Sequence, residues 1–276
     1  MASDRLDTVF RPDLLRDQVV VISGGGSGLG RALALQASKL GARVAICGRR
    51  SERLEETAAL IAEMGGGPIH TQAVSIRDPE AVAGFIAGVY ERFGQIDILV
   101  NNAGGQFPQA AIDFSVKGWN AVIDTNLNGT WYMMQAAARQ WRDRNAHGSI
   151  VNIVAVVWRG LPGIAHSCAA RAGVVYLSKT VAIEWAPLNI RVNCVAAGAI
   201  ATAGLETYSE ESRRELPRSN LMQRFGETQD VTDAVFYLAS QSGSFVTGET
   251  LVVDGGNQVW GDQWTIPRPA YFGGTA

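Results

Sequence analysis

Short apolar runs at 18–23, 42–47, 71–75, 96–101, 149–155, 190–196 and 250–254 alternate with longer stretches at 29–40, 51–63, 79–93 and 163–185. The short runs are nearly continuous in Val, Ile and Ala, the composition of strands covered on both faces. The longer ones carry apolar residues at three- and four-residue spacing, as helices with one buried face do. Strand, helix, strand in repetition predicts a parallel sheet with right-handed crossovers, hence a doubly wound α/β fold in a single domain. No low-complexity stretch, short repeat or interdomain linker interrupts the alternation.

Two stretches break the pattern. Residues 197–230 hold no strand-like run and are rich in Thr, Ser, Glu and Arg, which predicts a mobile helical lid. Residues 257–276 are irregular and polar-aromatic, with Trp260, Trp264, Pro267, Pro269, Tyr271 and Phe272. They read as a C-terminal tail that packs on a neighbouring subunit or on the substrate mouth. The expected organisation is a domain over 1–256, lid included, followed by the tail.

The first strand leads into the clearest chemistry. Val19-Val20-Val21-Ile22 runs into Ser23-Gly24-Gly25-Gly26-Ser27-Gly28-Leu29-Gly30, and a helix begins at Arg31-Ala32-Leu33. Glycines at such a turn let a pyrophosphate reach the helix N-terminus, where free amides and the helix dipole favour negative charge. Placed between strand and helix, the motif predicts a Rossmann-type dinucleotide site. An acidic residue is expected at the end of the second strand when the cofactor is NAD. Here Val44-Ala45-Ile46-Cys47 is followed by Gly48-Arg49-Arg50 instead. Two guanidinium groups at that spot can clamp a 2′-phosphate, which points to NADP(H). The alternative is that one or both are solvated residues at a helix start.

The spacing Gly24-x-x-x-Gly28-x-Gly30, together with Asn101-Asn102-Ala103-Gly104 after the fourth strand, resembles the short-chain dehydrogenase/reductase family. Asp124-Thr125-Asn126-Leu127, Arg191-Val192-Asn193 and Asp254-Gly255-Gly256 extend the match over about residues 16–256. The resemblance implies that Gly24, Gly26, Ser27, Leu29, Asn102, Ala103 and Gly104 line the cofactor beside Gly28 and Gly30 of the turn. It places Ser75, where the family has Asp, and Ile76 on the adenine side. Ala197-Gly198 stands for the family's Pro-Gly, which brings Gly198, Ile200 and Thr202 to the nicotinamide. Most members are homotetramers or dimers, so a homo-oligomer is expected.

The catalytic half departs from the family pattern. Members normally carry a Ser and a Tyr-x-x-x-Lys beside the helix Asn. In the frame set by Pro162-Gly163 and Ala172-Gly173-Val174, the tyrosine position is Ser167 and the lysine position is Arg171. The serine position falls on Val154 or Ala155, so Asn126 alone survives. Tyr176 and Lys179 are three apart and too far downstream, and they read as ordinary helix positions. His166 is a proton-donor candidate, against a purely structural role.

This departure has chemical content. Reducing a ketone generates an alkoxide and needs a poised general acid. Reducing an α,β-unsaturated thioester generates an enolate, which mainly needs hydrogen-bond donors where its charge develops. The runs 102–107, 117–119, 166–167 and 169–174 look like the trans-2-enoyl-CoA reductase branch of the family. The resemblance therefore implies an NADP(H)-dependent reductase of trans-2-enoyl-CoA thioesters, with Asn126 and Ser167 supporting the enolate and Arg171 on the nicotinamide ribose. An alcohol or aldehyde dehydrogenase, for instance on acyclic terpenoids, and a nucleotide-binding protein with little or no turnover stand as alternatives.

Composition bounds the remaining classes. A formal net charge of −2 gives no pull toward nucleic acid or an anionic membrane. No apolar run approaches the roughly 20 residues of a spanning helix. The N-terminal stretch is polar and unlike a secretory leader, and Gly273-Gly274-Thr275-Ala276 is not a peroxisomal address, so a cytoplasmic protein is expected. Cys47, Cys168 and Cys194, like His70, His147 and His166, are too scattered for a metal site or disulfide framework.

Overall fold

The computed structural model describes residues 8–155 and 158–260. At its centre run β1 (Val19–Ser23) and β4 (Ile98–Asn101), flanked by β2 (Arg43–Gly48) and β3 (His70–Ala73) on one side. On the other side lie β5 (Gly148–Ala155), β6 (Ile190–Ala197) and β7 (Thr250–Val253). All seven are parallel and form one sheet in the order β3-β2-β1-β4-β5-β6-β7. Each expected strand is present, with its ends displaced by no more than two residues. The Rossmann-type single domain is thus the observed architecture.

Alternation along β1 shows how one strand serves two cores. Val19 and Val21 join Phe85, Met133, Met134 and Trp141 on one face. That face is covered by α3 (Pro79–Phe93), α5 (Gly129–Asp143) and α6 (Ala165–Trp185). Val20 and Ile22 pack on Leu33, Leu40, Leu54 and Phe236 of the opposite layer, formed by α1 (Gly28–Lys39), α2 (Ser51–Glu63) and α8 (Thr228–Ala239). Burial on both faces is why the strands read as unbroken Val and Ile runs rather than as alternating ones.

Helix ends follow local chemistry. Asp78 caps α3 by accepting hydrogen bonds from Glu80 N (3.0 Å) and Ala81 N (3.1 Å), with Pro79 at the first helical position. The expected helix start at Gly163 moves to Ala165 because Gly163 is left-handed (φ +88°) and Ile164 is non-helical. At the other end of the fold, Arg191 of β6 donates to five carbonyls around the end of α8, including Leu238 O (2.6 Å) and Ala239 O (2.9 Å). A cation there satisfies orphan carbonyls and opposes the helix dipole.

Residues 111–143 held no named helix in the sequence reading. They contain α4 (Val116–Ile123), a π-turn (Asp124–Asn128) and α5, in near-continuous helical conformation. Between β6 and α8 the chain makes short pieces only: 3₁₀ turns at Ala203–Thr207 and Leu216–Ser219, and α7 (Glu210–Glu215). Its two ends meet at a bridge between Ile200 and Gly226, held by Ala201 N to Gly226 O (2.8 Å) and Gly226 N to Ala199 O (2.9 Å). Of the tail, Asn257–Val259 form one 3₁₀ turn, and 261–276 lie outside the described residues. Among the described residues no helix is long and apolar enough to cross a membrane.

Candidate active site

The glycine-rich turn is shaped by close approach. Gly24 takes a left-handed φ of +70°, and a Cβ on Gly30 would stand 2.1 Å from the Gly24 carbonyl oxygen and 2.5 Å from Asn102 Nδ2. Asn102 Nδ2 in turn donates to Ser23 O (3.0 Å) and Gly24 O (3.3 Å), while Ser23 Oγ accepts from Asn102 N and Ala103 N. The ends of β1 and β4 are thereby sewn together beneath the start of α1. Ser27, the N-cap of α1, makes no side-chain capping bond, which leaves first-turn amides for an anion.

A cleft of about 510 Å³ opens above this turn. Gly24, Gly26, Ser27, Gly28, Leu29 and Gly30 form its floor. Arg49 and Arg50 stand at one end with Ser75 and Ile76, and Asn102, Ala103 and Gly104 line the wall toward β4. Thr202 reaches the same cleft, whereas Gly198 and Ile200 line a separate cavity between the ends of β6 and β7 and residues 220–230. Arg49 and Arg50 are exposed and form no ion pair among the described residues. Their neighbours Arg31 and Arg53 both engage Glu56. Two unpaired guanidinium groups, an uncapped helix start and a turn too tight for a Cβ all fit a phosphorylated dinucleotide.

Behind the cleft wall at Gly104 and Gly105, the π-turn and α6 bring Asn126, Ser167 and Arg171 together. The amide of Asn126 is clasped by the Gly105 backbone, accepting from Gly105 N (2.9 Å) and donating to Gly105 O (2.9 Å). These two bonds fix the orientation of the amide, and the second N–H of Nδ2 donates to Ser167 Oγ at 3.3 Å. Asn126 and Ser167 are buried. Ser167 Oγ donates to Gln106 Oε1 at 2.7 Å, and Gln106 Nε2 donates to Tyr208 Oη in the segment between β6 and α8. The π-turn places Asn126 inward, where its side chain is buried.

Arg171 lies over Gly104, where a Cβ would come 2.1 Å from its Nη2, and its Nη1 donates to Ile153 O at 2.6 Å. Burial draws its pKa down to about 10, so it stays a cation at neutral pH. No carboxylate pairs with it among the described residues. A fixed positive charge therefore sits directly behind Gly104 of the cleft wall.

His166 is enclosed instead of poised. Its ring packs edge-on to Phe107 (4.7 Å between centroids) and against Phe114 (4.3 Å), and its Nδ1 accepts from Ser167 N. Burial pushes its pKa below the usual histidine value, which keeps it neutral. Tyr176 is 76% exposed on the outer face of α6, with Lys179 likewise exposed. Val154 is buried in the sheet, and Ala155 carries no hydroxyl. Gln106 and Tyr208 had no role in the sequence reading. The first stood in a run quoted only for its resemblance, and the second is an isolated aromatic in a polar stretch. Among the described residues no His, Cys, Asp or Glu cluster could hold a metal.

Residues 24–258 match the family profile described as enoyl-(acyl carrier protein) reductase. A probable 2,4-dienoyl-CoA reductase [(2E)-enoyl-CoA-producing] of Bacillus subtilis is 36% identical over 260 residues, 92% of this chain and 100% of the relative. The peroxisomal 2,4-dienoyl-CoA reductase [(3E)-enoyl-CoA-producing] of Arabidopsis thaliana is 35% identical over 91% of this chain and 88% of its own length. Among solved structures, a citronellol catabolism dehydrogenase (AtuB) of Pseudomonas aeruginosa superposes with a TM-score of 0.82 at 39% identity, covering 91% of this chain and 99% of that one. A short chain dehydrogenase of Bacillus anthracis gives 0.83 at 38% identity, covering 92% and 100%.

Proposed function

The chain belongs to the short-chain dehydrogenase/reductase family, and from that premise we propose that it is an NADP(H)-dependent reductase of α,β-unsaturated acyl-CoA thioesters, 2-enoyl or 2,4-dienoyl. The observation that carries this reading is the make-up of the inner site. Where the family keeps a titrating Tyr–Lys pair, this chain has Ser167 and Arg171, set in a chain of neutral hydroxyl and amide groups. Such a site offers hydrogen-bond donors and a fixed cation, not a proton relay. That suits a reaction whose charge is delocalised onto a thioester oxygen better than one that makes an alkoxide.

Each part of the cleft has a role in this reading. Amides at the start of α1 take the pyrophosphate, and Arg49 and Arg50 take the 2′-phosphate. Arg171 anchors the nicotinamide ribose through its remaining donors, since it cannot cycle through a neutral form. The reduced nicotinamide, when bound, supplies hydride to the electron-poor end of the conjugated system. Asn126, Ser167 and Gln106 then support the enolate side, and residues 198–227 act as a lid that excludes water. The exposed Tyr176 and Ile183 give α6 an apolar outer face suited to a second copy of the chain, and three free thiols suit a reducing compartment such as the cytoplasm.

Steady-state assays with NADPH and a series of trans-2-enoyl- and 2,4-dienoyl-CoA thioesters test the proposal. Turnover at background with every thioester refutes it, and tight NADPH binding beside that result leaves a nucleotide-binding protein. The likeness to the citronellol catabolism dehydrogenase favours a second reading, an alcohol or aldehyde dehydrogenase. It needs a base, and His166 is shut behind Phe107 and Phe114. Alcohol-dependent reduction of NADP⁺ with no thioester turnover would select it.

A further inference from the structure

The hydrogen bonds at the inner site run in one direction, and their end point is a residue of the lid. Gly105 fixes the Asn126 amide so that Nδ2 points to Ser167 as a donor. Ser167 Oγ, already accepting that bond, donates its only proton to Gln106 Oε1. The Gln106 amide is thereby oriented with Nε2 toward Tyr208, which accepts. The protons of Asn126 and Ser167 are spent within the protein, and Gln106 Nε2 spends one of its two N–H groups on Tyr208. Tyr208 accepts from Gln106 and still has its own O–H to give, with no other partner among the described residues.

Resting on the proposed thioester reductase activity, we infer that Tyr208 is the catalytic residue whose hydroxyl donates to the substrate's thioester oxygen when the lid is down. Gln106 is its positioning residue, and Ser167 and Asn126 polarise the chain behind it. Bonds of this kind reinforce one another when aligned, which strengthens the terminal O–H as a donor. No bond to Tyr208 is made or broken. The substrate takes up hydride from the reduced nicotinamide at carbon, its π electrons move onto the thioester oxygen, and the Tyr208 hydrogen bond holds that charge. A proton from water then completes the product at carbon, so the thioester gains two electrons and two hydrogens.

The setting supports this role. Tyr208 is half-buried, and burial, countered by the Gln106 bond, raises its pKa above the ordinary tyrosine value, so the phenol stays protonated through neutral pH. The family's catalytic tyrosine position is Ser167, on α6. Here the phenol comes instead from the segment between β6 and α8, and it meets the cleft through Gln106, which lines it.

Tyr208→Phe removes only the hydroxyl and keeps the ring that packs in the lid. It is expected to leave the Kd for NADPH within about twofold and to lower kcat on an unsaturated thioester by about 10²-fold. The ultraviolet band of bound 2,4-dienoyl-CoA, which shifts to longer wavelength when its carbonyl accepts a strong hydrogen bond, should move back toward its free position. Gln106→Leu should produce the same band shift with a smaller loss of rate. Wild-type kcat and an unchanged band in Tyr208→Phe overturn the inference while leaving the reductase reading intact. A wild-type protein that neither binds nor reduces any unsaturated thioester overturns both.

Discussion

Substituting Gly30 by Ala tests whether the nucleotide turn is as tight as its geometry says. The added Cβ would lie 2.1 Å from Gly24 O and 2.8 Å from Gly24 C, both backbone atoms, and 2.5 Å from Asn102 Nδ2. The Gly24 carbonyl must retreat by roughly 1 Å to reach ordinary contact, and overpacking of this kind costs about 1–3 kcal/mol. Displacing Asn102 also loosens its bonds to Ser23 O and Gly24 O, at about 1 kcal/mol each. Ala returns about 1 kcal/mol over Gly inside the first turn of α1. The net is a loss of about 2–4 kcal/mol, which for a domain of this size lowers Tm by about 4–16 °C. Because the shifted carbonyl sits on the cleft floor, NADPH binding should weaken at least about tenfold, about 1.4 kcal/mol. Gly105→Ala is the control, since nothing lies within 4 Å of its added Cβ, and its stability should stay within about 0.5 kcal/mol of wild type. Calorimetric melting and NADPH titration read both effects. A Gly30→Ala protein with wild-type Tm and NADPH affinity, or an equally large loss in Gly105→Ala, would refute the argument.

Three further outcomes follow from the same geometry. Replacing Arg49 and Arg50 together by Ala should weaken NADPH by about 10²-fold, leave NADH unchanged, and flatten the salt dependence of NADPH binding; equal losses for both cofactors would exclude a 2′-phosphate clamp. Ser167→Ala should cut kcat on thioesters by about 10- to 100-fold at constant NADPH affinity, read by parallel kinetics and calorimetry. His70 and His166 both titrate below the ordinary histidine value because burial disfavours the imidazolium. The unfolded chain therefore takes up protons first, near pH 6.5, and the stability they confer is whole above that point and drains away as pH falls toward their folded values. Denaturation midpoints should drop as pH falls below about 6.5, and His166→Asn should flatten that slope.

Much of the fold was legible because burial on both faces writes a strand as a plain run of Val and Ile. Helix ends were less so. Gly163 belonged to an apolar stretch, but its left-handed backbone excludes it from α6. The π-turn at Asp124–Asn128 shifts the buried face between α4 and α5, so no single 3.6-residue stripe runs through 116–143, although α5 alone keeps one in Thr130, Met133, Met134, Ala137, Ala138 and Trp141. The glycine turn, Arg49 and Arg50 were legible because spacing along a strand and its following turn fixes where the chain goes, whereas Asn126 came from the family resemblance alone. Gln106 and Tyr208 were not legible. Their partnership crosses 102 residues, and nothing in a local pattern says that a tyrosine between β6 and α8 reaches the loop after β4.

The neck at Ile200 and Gly226 bears on how this scaffold can be altered. The chain leaves the sheet and returns to it through one pair of backbone hydrogen bonds, while Arg191 secures the far end of α8 independently. What lies between those anchors is in effect a cassette. A change of length within it is taken up first at the neck, but its sequence is not free, since Met222 N donates to Gly255 O, Asn257 Nδ2 to Ser219 O and Gln106 Nε2 to Tyr208 Oη. An exchange that spares those three contacts is therefore the one the seven strands below would tolerate.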